Sequence, residues 1–364
     1  MRYIICLISI LFSVNANANS QEIVEPNAVN TLWMLVSAAL VMIMTPGVAF
    51  FYAGMVSHRS VISTLLQNFI ALSVVGVLWV VVGYSLSFGE GNAFLGSATK
   101  YLMLYGVHNE IILDAKVTHL SFIAFQMMFA CITPALMTGA MAERVNFKAW
   151  ILVLMIWSLV VYAPVAHWVW GPGGWIGAHG ALDFAGGLVV HTTAGVGGLV
   201  SALVVGSRAE SNTYSKDVSM VMLGGTLLWF GWFGFNAGSA IVVGQLASYS
   251  FMTTFVAAAI GMIVWMLVDW LRNSKFSAIG GMTGAIVGLV AITPAAGYVS
   301  ISSSIFIGTA AAIVCNLSSH IIKNKTKLDD TLDVFACHGI GGIVGSIMTG
   351  LLASKVINPS IGTE

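Results

Sequence analysis

Ten apolar stretches of about twenty residues or more leave this chain little choice of fold. They run over 31–54, 61–88, 119–142, 149–170, 184–206, 218–240, 249–271, 278–297, 300–322 and 333–353. A helix needs about 20 such residues to cross a hydrocarbon core about 30 Å thick. In lipid, only helices and closed barrels satisfy every backbone N–H and C=O. Barrel strands read as short alternating segments, whereas these stretches are continuous. The expected fold is therefore an all-α polytopic membrane protein with ten transmembrane helices. The charged fraction is 8%, against about 25% in soluble domains. Fourteen basic and fourteen acidic residues cancel, so no strongly basic balance points to a nucleic-acid partner.

The first eighteen residues read as a signal peptide. Arg2 precedes the apolar run from Ile4 to Val14, and Ala16-Asn17-Ala18 offers a small-x-small cleavage site. Residues 19–364 then form the membrane domain, in halves of about 31–206 and 218–353. An uncleaved anchor is the alternative. Beyond Cys6, the thiols Cys131, Cys315 and Cys337 all lie in apolar segments, which suits packing and not a disulfide framework.

Orientation follows from the basic residues. Alternate connectors hold Arg59; Arg144 and Lys148; Arg208 and Lys216; Arg272 and Lys275; Lys323, Lys325 and Lys327. The opposite connectors and the C-terminal tail hold only Lys100, Lys116 and Lys355. The basic side is expected to be cytoplasmic. That places the mature N-terminus outside, in a bacterial inner membrane, as a cleaved signal also requires.

Two patterns recur five segments apart. His191-x-x-x-Gly195-x-x-Gly198 matches His338-x-x-x-Gly342-x-x-Gly345, and Phe51-Tyr52-Ala53-Gly54 resembles Phe235-Asn236-Ala237-Gly238. An odd offset gives the halves opposite topology. An inverted 5+5 repeat of this kind places a transport path at the repeat interface.

The residues that carry chemistry gather around His191. It lies eight residues past Asp183, about 12 Å into the membrane by helical rise. His338 ascends from the other side, five residues past Asp333. Ionisable groups at such depth are costly and mark function. Two neutral imidazoles in contact bond each other and still offer a polar edge, which suits a small neutral polar solute. Two unrelated core histidines are the bland alternative. Toward the outer face stand Trp170, Trp232, Phe233, Phe235, Ser239, Phe125 and Phe129. A cation over an aromatic face gains about 0.5–2 kcal/mol, and a serine oxygen accepts a bond from it. Trp168 and Trp175 fit an interfacial belt instead. Asp183 reads as a helix cap, with a proton relay as the alternative, and Asp333 carries the same ambiguity. Pro46, Pro134 and Pro294 are expected inside helices. No His/Cys spacing suits zinc, Gly171-Pro172-Gly173-Gly174 is not a phosphate loop, and no cofactor or enzyme activity is expected.

These residues resemble the Amt/Mep/Rh ammonium transporter family, and most closely its bacterial Amt branch. The likeness rests on Asp183-Phe-Ala-Gly-Gly-x-Val-Val-His191, Thr45-Pro-Gly-Val-Ala-Phe-Phe-Tyr-Ala-Gly54, Gly83-Tyr-Ser-Leu-Ser-Phe-Gly-Glu-Gly-Asn-Ala-Phe94 and Ala142-Glu-Arg144. It rests equally on Trp232-Phe-Gly-Phe-Asn-Ala-Gly-Ser239, Thr293-Pro-Ala-Ala-Gly297 and Asp333-Val-Phe-x-x-His-Gly339. The resemblance implies that His191 and His338 are twin pore histidines. It makes Phe129 and Phe235 a stacked gate, and Trp170, Phe129 and Ser239 an outer ammonium-recruitment site. Asp183 becomes the buried aspartate beneath that site, with Trp232 and Asp333 in support. It implies a homotrimer with one pore per subunit, which recruits NH4+, deprotonates it and passes an ammonia-sized species. Trp170 stands thirteen residues before Asp183, one more than the family pattern.

The family has eleven helices and a tail on which PII-type signalling proteins dock. This sequence stops about ten residues after the tenth stretch. A product truncated after the tenth helix is therefore expected, without tail-mediated regulation. The rival readings are an ammonium sensor that binds without conducting and, more remotely, a membrane redox protein with His191 and His338 as axial haem ligands.

Overall fold

Most of the helices begin where a side chain can replace a missing backbone partner. The computed structural model describes residues 25–112, 114–209 and 216–362; the signal segment expected over 1–18 lies outside them. Helix α1 (Ala28–Ala53) opens on Asn27, whose side chain accepts the Asn30 N–H. Helix α2 runs through Val61–Leu78, a π-helical turn Trp79–Gly83, and Tyr84–Phe88. Helix α3 is His119–Met137. Helix α4 joins Phe147–Trp157, the π turn Ser158–Tyr162, and Ala163–Trp170. Helix α5 begins with the π turn Gly187–Thr192 and continues as Thr193–Val205. Helices α6 (Val218–Gly238), α8 (Ala278–Ile292) and α9 (Ile301–Lys325) are capped by Asp217, Ser277 and Ser300, as polar short side chains at that position do. Helix α7 is Gln245–Asn273. Helix α10 opens, as α5 does, with a π turn, Phe335–Ile340, followed by Gly341–Leu352.

All ten apolar stretches are thus helical. Among the described residues nine helices are long and apolar enough to cross a membrane. The tenth, α8, has 15 residues and rises only about 22 Å. Pro294 stops it. Proline carries no N–H and disfavours helical backbone in the residue before it, so the chain turns from Thr293 onward. Pro46 and Pro134 do lie inside helices, but Pro294 does not, contrary to the expectation from sequence. Large apolar side chains face outward around the bundle: Val204 is 80% exposed and Ile62 72%. Only a lipid environment tolerates that at this density.

The five-helix repeat is visible in the packing. Helix α3 packs on α1, α2 and α5, and α8 packs on α6, α7 and α10; α2 packs on α4 as α7 packs on α9. The two halves meet where α1 lies along α6, and where the start of α5 crosses the start of α10. A third repeated element appears here. Ile132-Thr133-Pro134-Ala135 in α3 recurs as Ile292-Thr293-Pro294-Ala295 at the end of α8. Each threonine hydroxyl donates to the carbonyl one turn back, Phe129 and Leu289 respectively.

Glycine decides the α5–α10 crossing. A Cβ on Gly195 would stand 2.0 Å from the Gly339 backbone N, and one on Gly342 2.9 Å from the Thr192 backbone N. No larger side chain fits at Gly195 without separating the helices. On one face of the bundle, four connectors are tied by charge. Arg208 donates to both oxygens of Asp329 from its side chain at 2.9 and 3.0 Å, and from its backbone N–H at 2.9 Å. It also pairs with Glu143 at 3.6 Å, and Glu143 accepts the Ser57 N–H at 2.7 Å. Arg144 reaches the Asp329 carbonyl and Thr331 Oγ1. These are among the connectors that hold the basic residues, so the structure places those connectors together.

Candidate functional site

Asp183 fixes the start of α5. Oδ1 accepts the N–H groups of Gly186 and Gly187 at 2.9 and 2.6 Å, and Oδ2 those of Leu188 and Val189 at 2.9 and 3.1 Å. A helix start leaves four N–H groups without partners, and one buried carboxylate answers four here. Gly186 makes this possible, because its φ of 112° is open to glycine alone. The wider π turn that follows carries His191.

The second half repeats the device with a residue that sequence reasoning passed over. Asp330, 3% exposed, accepts the N–H groups of Val334 and Phe335 at 3.0 and 2.8 Å. Asp330 precedes His338 by eight residues, as Asp183 precedes His191. The shared Asp-x7-His spacing was the available signal. Asp333, the residue singled out from sequence, does something else. Its backbone is left-handed, with φ 60°. Its carboxylate accepts from Ser319 Oγ at 2.7 Å and pairs with Lys323. Burial pushes the Asp330 carboxyl up to about 6, and the neighbouring Asp333 charge adds to the shift. Burial works upward on Asp329 too, but the Arg208 guanidinium and backbone N–H outweigh it and hold that carboxyl below its usual range.

The π turns bring the two histidines face to face. Their Nδ1 atoms are 3.3 Å apart, with ring centroids at 5.4 Å and planes 27° apart. His191 is 1% exposed and His338 5%. Rings this close leave no room for a macrocycle between them, so bis-histidine haem ligation does not fit.

Above His191 the aromatic side chains form a column. Phe235 stacks on His191 at 5.8 Å, and Phe129 stacks on Phe235 at 4.2 Å and 28°. Trp170 meets Phe129 edge-on at 6.0 Å, and its indole N–H donates to the Asp183 carbonyl at 2.9 Å. The same aspartate therefore caps the histidine's turn with its side chain and anchors the tryptophan with its backbone. Ser239 sits one turn beyond Phe235 on α6 and donates its hydroxyl to the Phe235 carbonyl at 2.8 Å. Its oxygen lone pairs remain as acceptors. Trp232 stacks on His191 at 5.2 Å.

Below His338 opens a cavity of about 250 Å³ lined by Cys337, Phe51, Tyr52, Asp333, Lys323 and Lys216, among others. From Trp170 to this cavity the residues follow in order: aromatic edge, phenylalanine pair, imidazole pair, polar chamber. The chemistry of such a column suits a small cation at its aromatic end and a neutral hydrogen-bonding molecule at its middle. It gives a fixed charge no partner there, and a bare charge in such surroundings is costly. Among the described residues no group of His, Cys, Asp or Glu could hold a metal ion.

The model of the Ammonium Transporter Family matches residues 32–363. An ammonium transporter of Bacillus subtilis is 47% identical over 331 residues, covering 90% of this chain and 81% of that protein. The ammonium transporter Amt1 of Archaeoglobus fulgidus is 44% identical over 336 residues, with 92% and 83% covered. The crystal structure of Saccharomyces cerevisiae Mep2 superposes with a TM-score of 0.87 at 38% identity, over 93% of this chain and 76% of that one. A structure of a sensor Amt protein superposes with a TM-score of 0.85 at 28% identity, over 90% and 84%. The chain belongs to the ammonium transporter family.

Proposed function

We propose that this multi-pass membrane protein carries ammonium nitrogen across the bilayer as a channel-like transporter. The observation that carries the reading is the unbroken file Trp170–Phe129–Phe235–His191–His338, which ends in the polar cavity. NH4+ is recruited at the outer end, against the aromatic faces of Trp170 and Phe129. It donates to the Ser239 oxygen, whose own hydrogen is already committed to the Phe235 carbonyl. The stacked phenylalanine pair closes the way to a hydrated ion. NH4+ passes by giving up a proton and becoming a neutral molecule; a potassium ion of similar size has no proton to give, keeps its charge and meets the full cost of burial. Deprotonation takes place on the outer side of the phenylalanine pair, near Asp183, with the proton handed to water on that side. That carboxylate is held by four N–H bonds, which supports a scaffolding role in place of proton carriage. Ammonia then passes along the imidazole pair, which offers a donor and an acceptor in turn, into the cavity. The protein sits in a bacterial inner membrane with its mature N-terminus outside and assembles as a homotrimer with one path per subunit.

Purified protein in liposomes tests the reading. An ammonium gradient across the membrane produces a pH change or current that is absent from empty liposomes, and Phe235→Trp abolishes it by filling the gate. Methylammonium binding without any flux would replace this reading with that of a sensor.

A further inference from the structure

The two pore histidines are not held alike. His191 has Trp232 flat against it, at 5.2 Å and 25°. The indole N–H of Trp232 donates to Thr293 Oγ1 at 2.9 Å. The Thr293 hydroxyl in turn donates to the Leu289 carbonyl at 2.7 Å. With its hydrogen committed there, Thr293 can only accept from the indole, so the chain of bonds runs one way and fixes the tryptophan plane. Both residues are buried, Trp232 at 1% exposure and Thr293 at 0%. The next residue works on the same histidine from another side. The Pro294 carbonyl accepts the Phe184 N–H at 3.1 Å, and the Pro294 ring lies where a Cβ on Gly187 would be, 2.5 Å from the nearest atom. Gly187 begins the π turn that carries His191. The end of α8 therefore bears on His191 both through the Trp232 stack and through the backbone of its turn. The repeat breaks here. Aligning Phe51 with Phe235 puts Val48 where Trp232 stands, and Thr133 has only its bond to the Phe129 carbonyl.

We propose that Trp232 and Thr293 are positioning residues that lock the His191 ring, leaving His338 as the ring that adjusts to the passing molecule. The proposal rests on the transport reading above, and its test separates the two. Thr293→Val keeps shape and removes the acceptor; Thr293→Ser keeps the hydroxyl; Trp232→Phe keeps a stacked ring and removes the donor. In liposomes, Thr293→Val and Trp232→Phe each lower maximal ammonium flux about tenfold, the order of one lost buried hydrogen bond. The half-saturating concentration stays unchanged, because the outer site is untouched. The double variant is no worse than either single one, and Thr293→Ser restores flux. A merely structural role would not produce that split between rate and affinity. Solid-state NMR of 15N-labelled imidazole supplies a second readout independent of flux: in Thr293→Val the His191 signal broadens more than the His338 signal. Wild-type flux with an unbroadened His191 in Thr293→Val overturns the brace, as does full additivity of the two single variants. If the wild-type protein carries no flux, the transport reading fails, and the NMR comparison alone decides whether His191 is locked.

Discussion

Two buried aspartates show what single residues do here. Each accepts the free N–H groups at the head of a π turn, and each turn carries one histidine. Asp183→Ala leaves four N–H groups unanswered and is expected to cost more than about 2 kcal/mol, read as a drop in unfolding temperature in detergent. Asp183→Asn keeps an acceptor and loses less. Melting of Asp183→Ala at the wild-type temperature would show that the cap contributes nothing. Asp329 and Asp330 are neighbours whose carboxyls are shifted in opposite directions from the ordinary value. The Asp330 carboxyl, at about 6, lies above the ordinary value of about 4. Protonation therefore favours the folded state, and that contribution fades as pH rises from about 4 through about 6. Asp329 lies below the ordinary value, so its contribution is present above about pH 4 and fades as pH falls. Carboxyl 13C NMR against pH is expected to give Asp330 a midpoint near 6 and Asp329 one below 4; coincident midpoints would contradict the charge network. The sequence showed Asp183 and His191 plainly. It hid Asp330 behind Asp333, because which backbone N–H groups a carboxylate reaches depends on the turn that its own stretch of chain takes.

At the scale of helices, apolar length located all ten correctly, since a membrane leaves the backbone so few options. The errors lie at the ends. Helix α8 stops at Ile292 because of Pro294, and α3 ends at Met137 instead of continuing to 142. Element lengths are set locally, but the α5–α10 crossing is set by contact. It could not be derived from sequence alone, because short glycine patterns also serve ordinary packing. The glycines separate under test. Gly195→Ala must push the α5 and α10 backbones away from each other and is expected to destabilise by about 1–3 kcal/mol. Gly350, on the same α10, has open space beside it. Gly350→Ala is expected to stabilise slightly, by about 0.5–1 kcal/mol, through helix propensity alone. Thermal unfolding of the two variants side by side checks both signs.

Over the whole molecule, five helices and their inverted copy close around one path, and the charged clamp of Arg208, Asp329, Glu143 and Arg144 ties the connectors on one face. Arg208→Ala removes the side-chain bonds to Asp329 and is expected to cost about 1.5–3 kcal/mol. Faster amide exchange over 326–334 is the expected sign, and unchanged exchange there would mean that the clamp is idle. The pseudo-twofold arrangement of the halves meets one limit at its centre. The two imidazoles touch through Nδ1 and Nδ1 at 3.3 Å, and a hydrogen bond between those atoms holds a single proton. When both rings are neutral, one ring carries its hydrogen on Nδ1 and the other carries it on Nε2. One outward nitrogen then accepts while the other donates. Reversing them requires the shared proton to hop between the rings while one outward Nε2 gives up its hydrogen and the other takes one up. A scaffold that is symmetric in its helices thus contains a two-state switch in its protons, and at any instant the file of imidazoles has a direction.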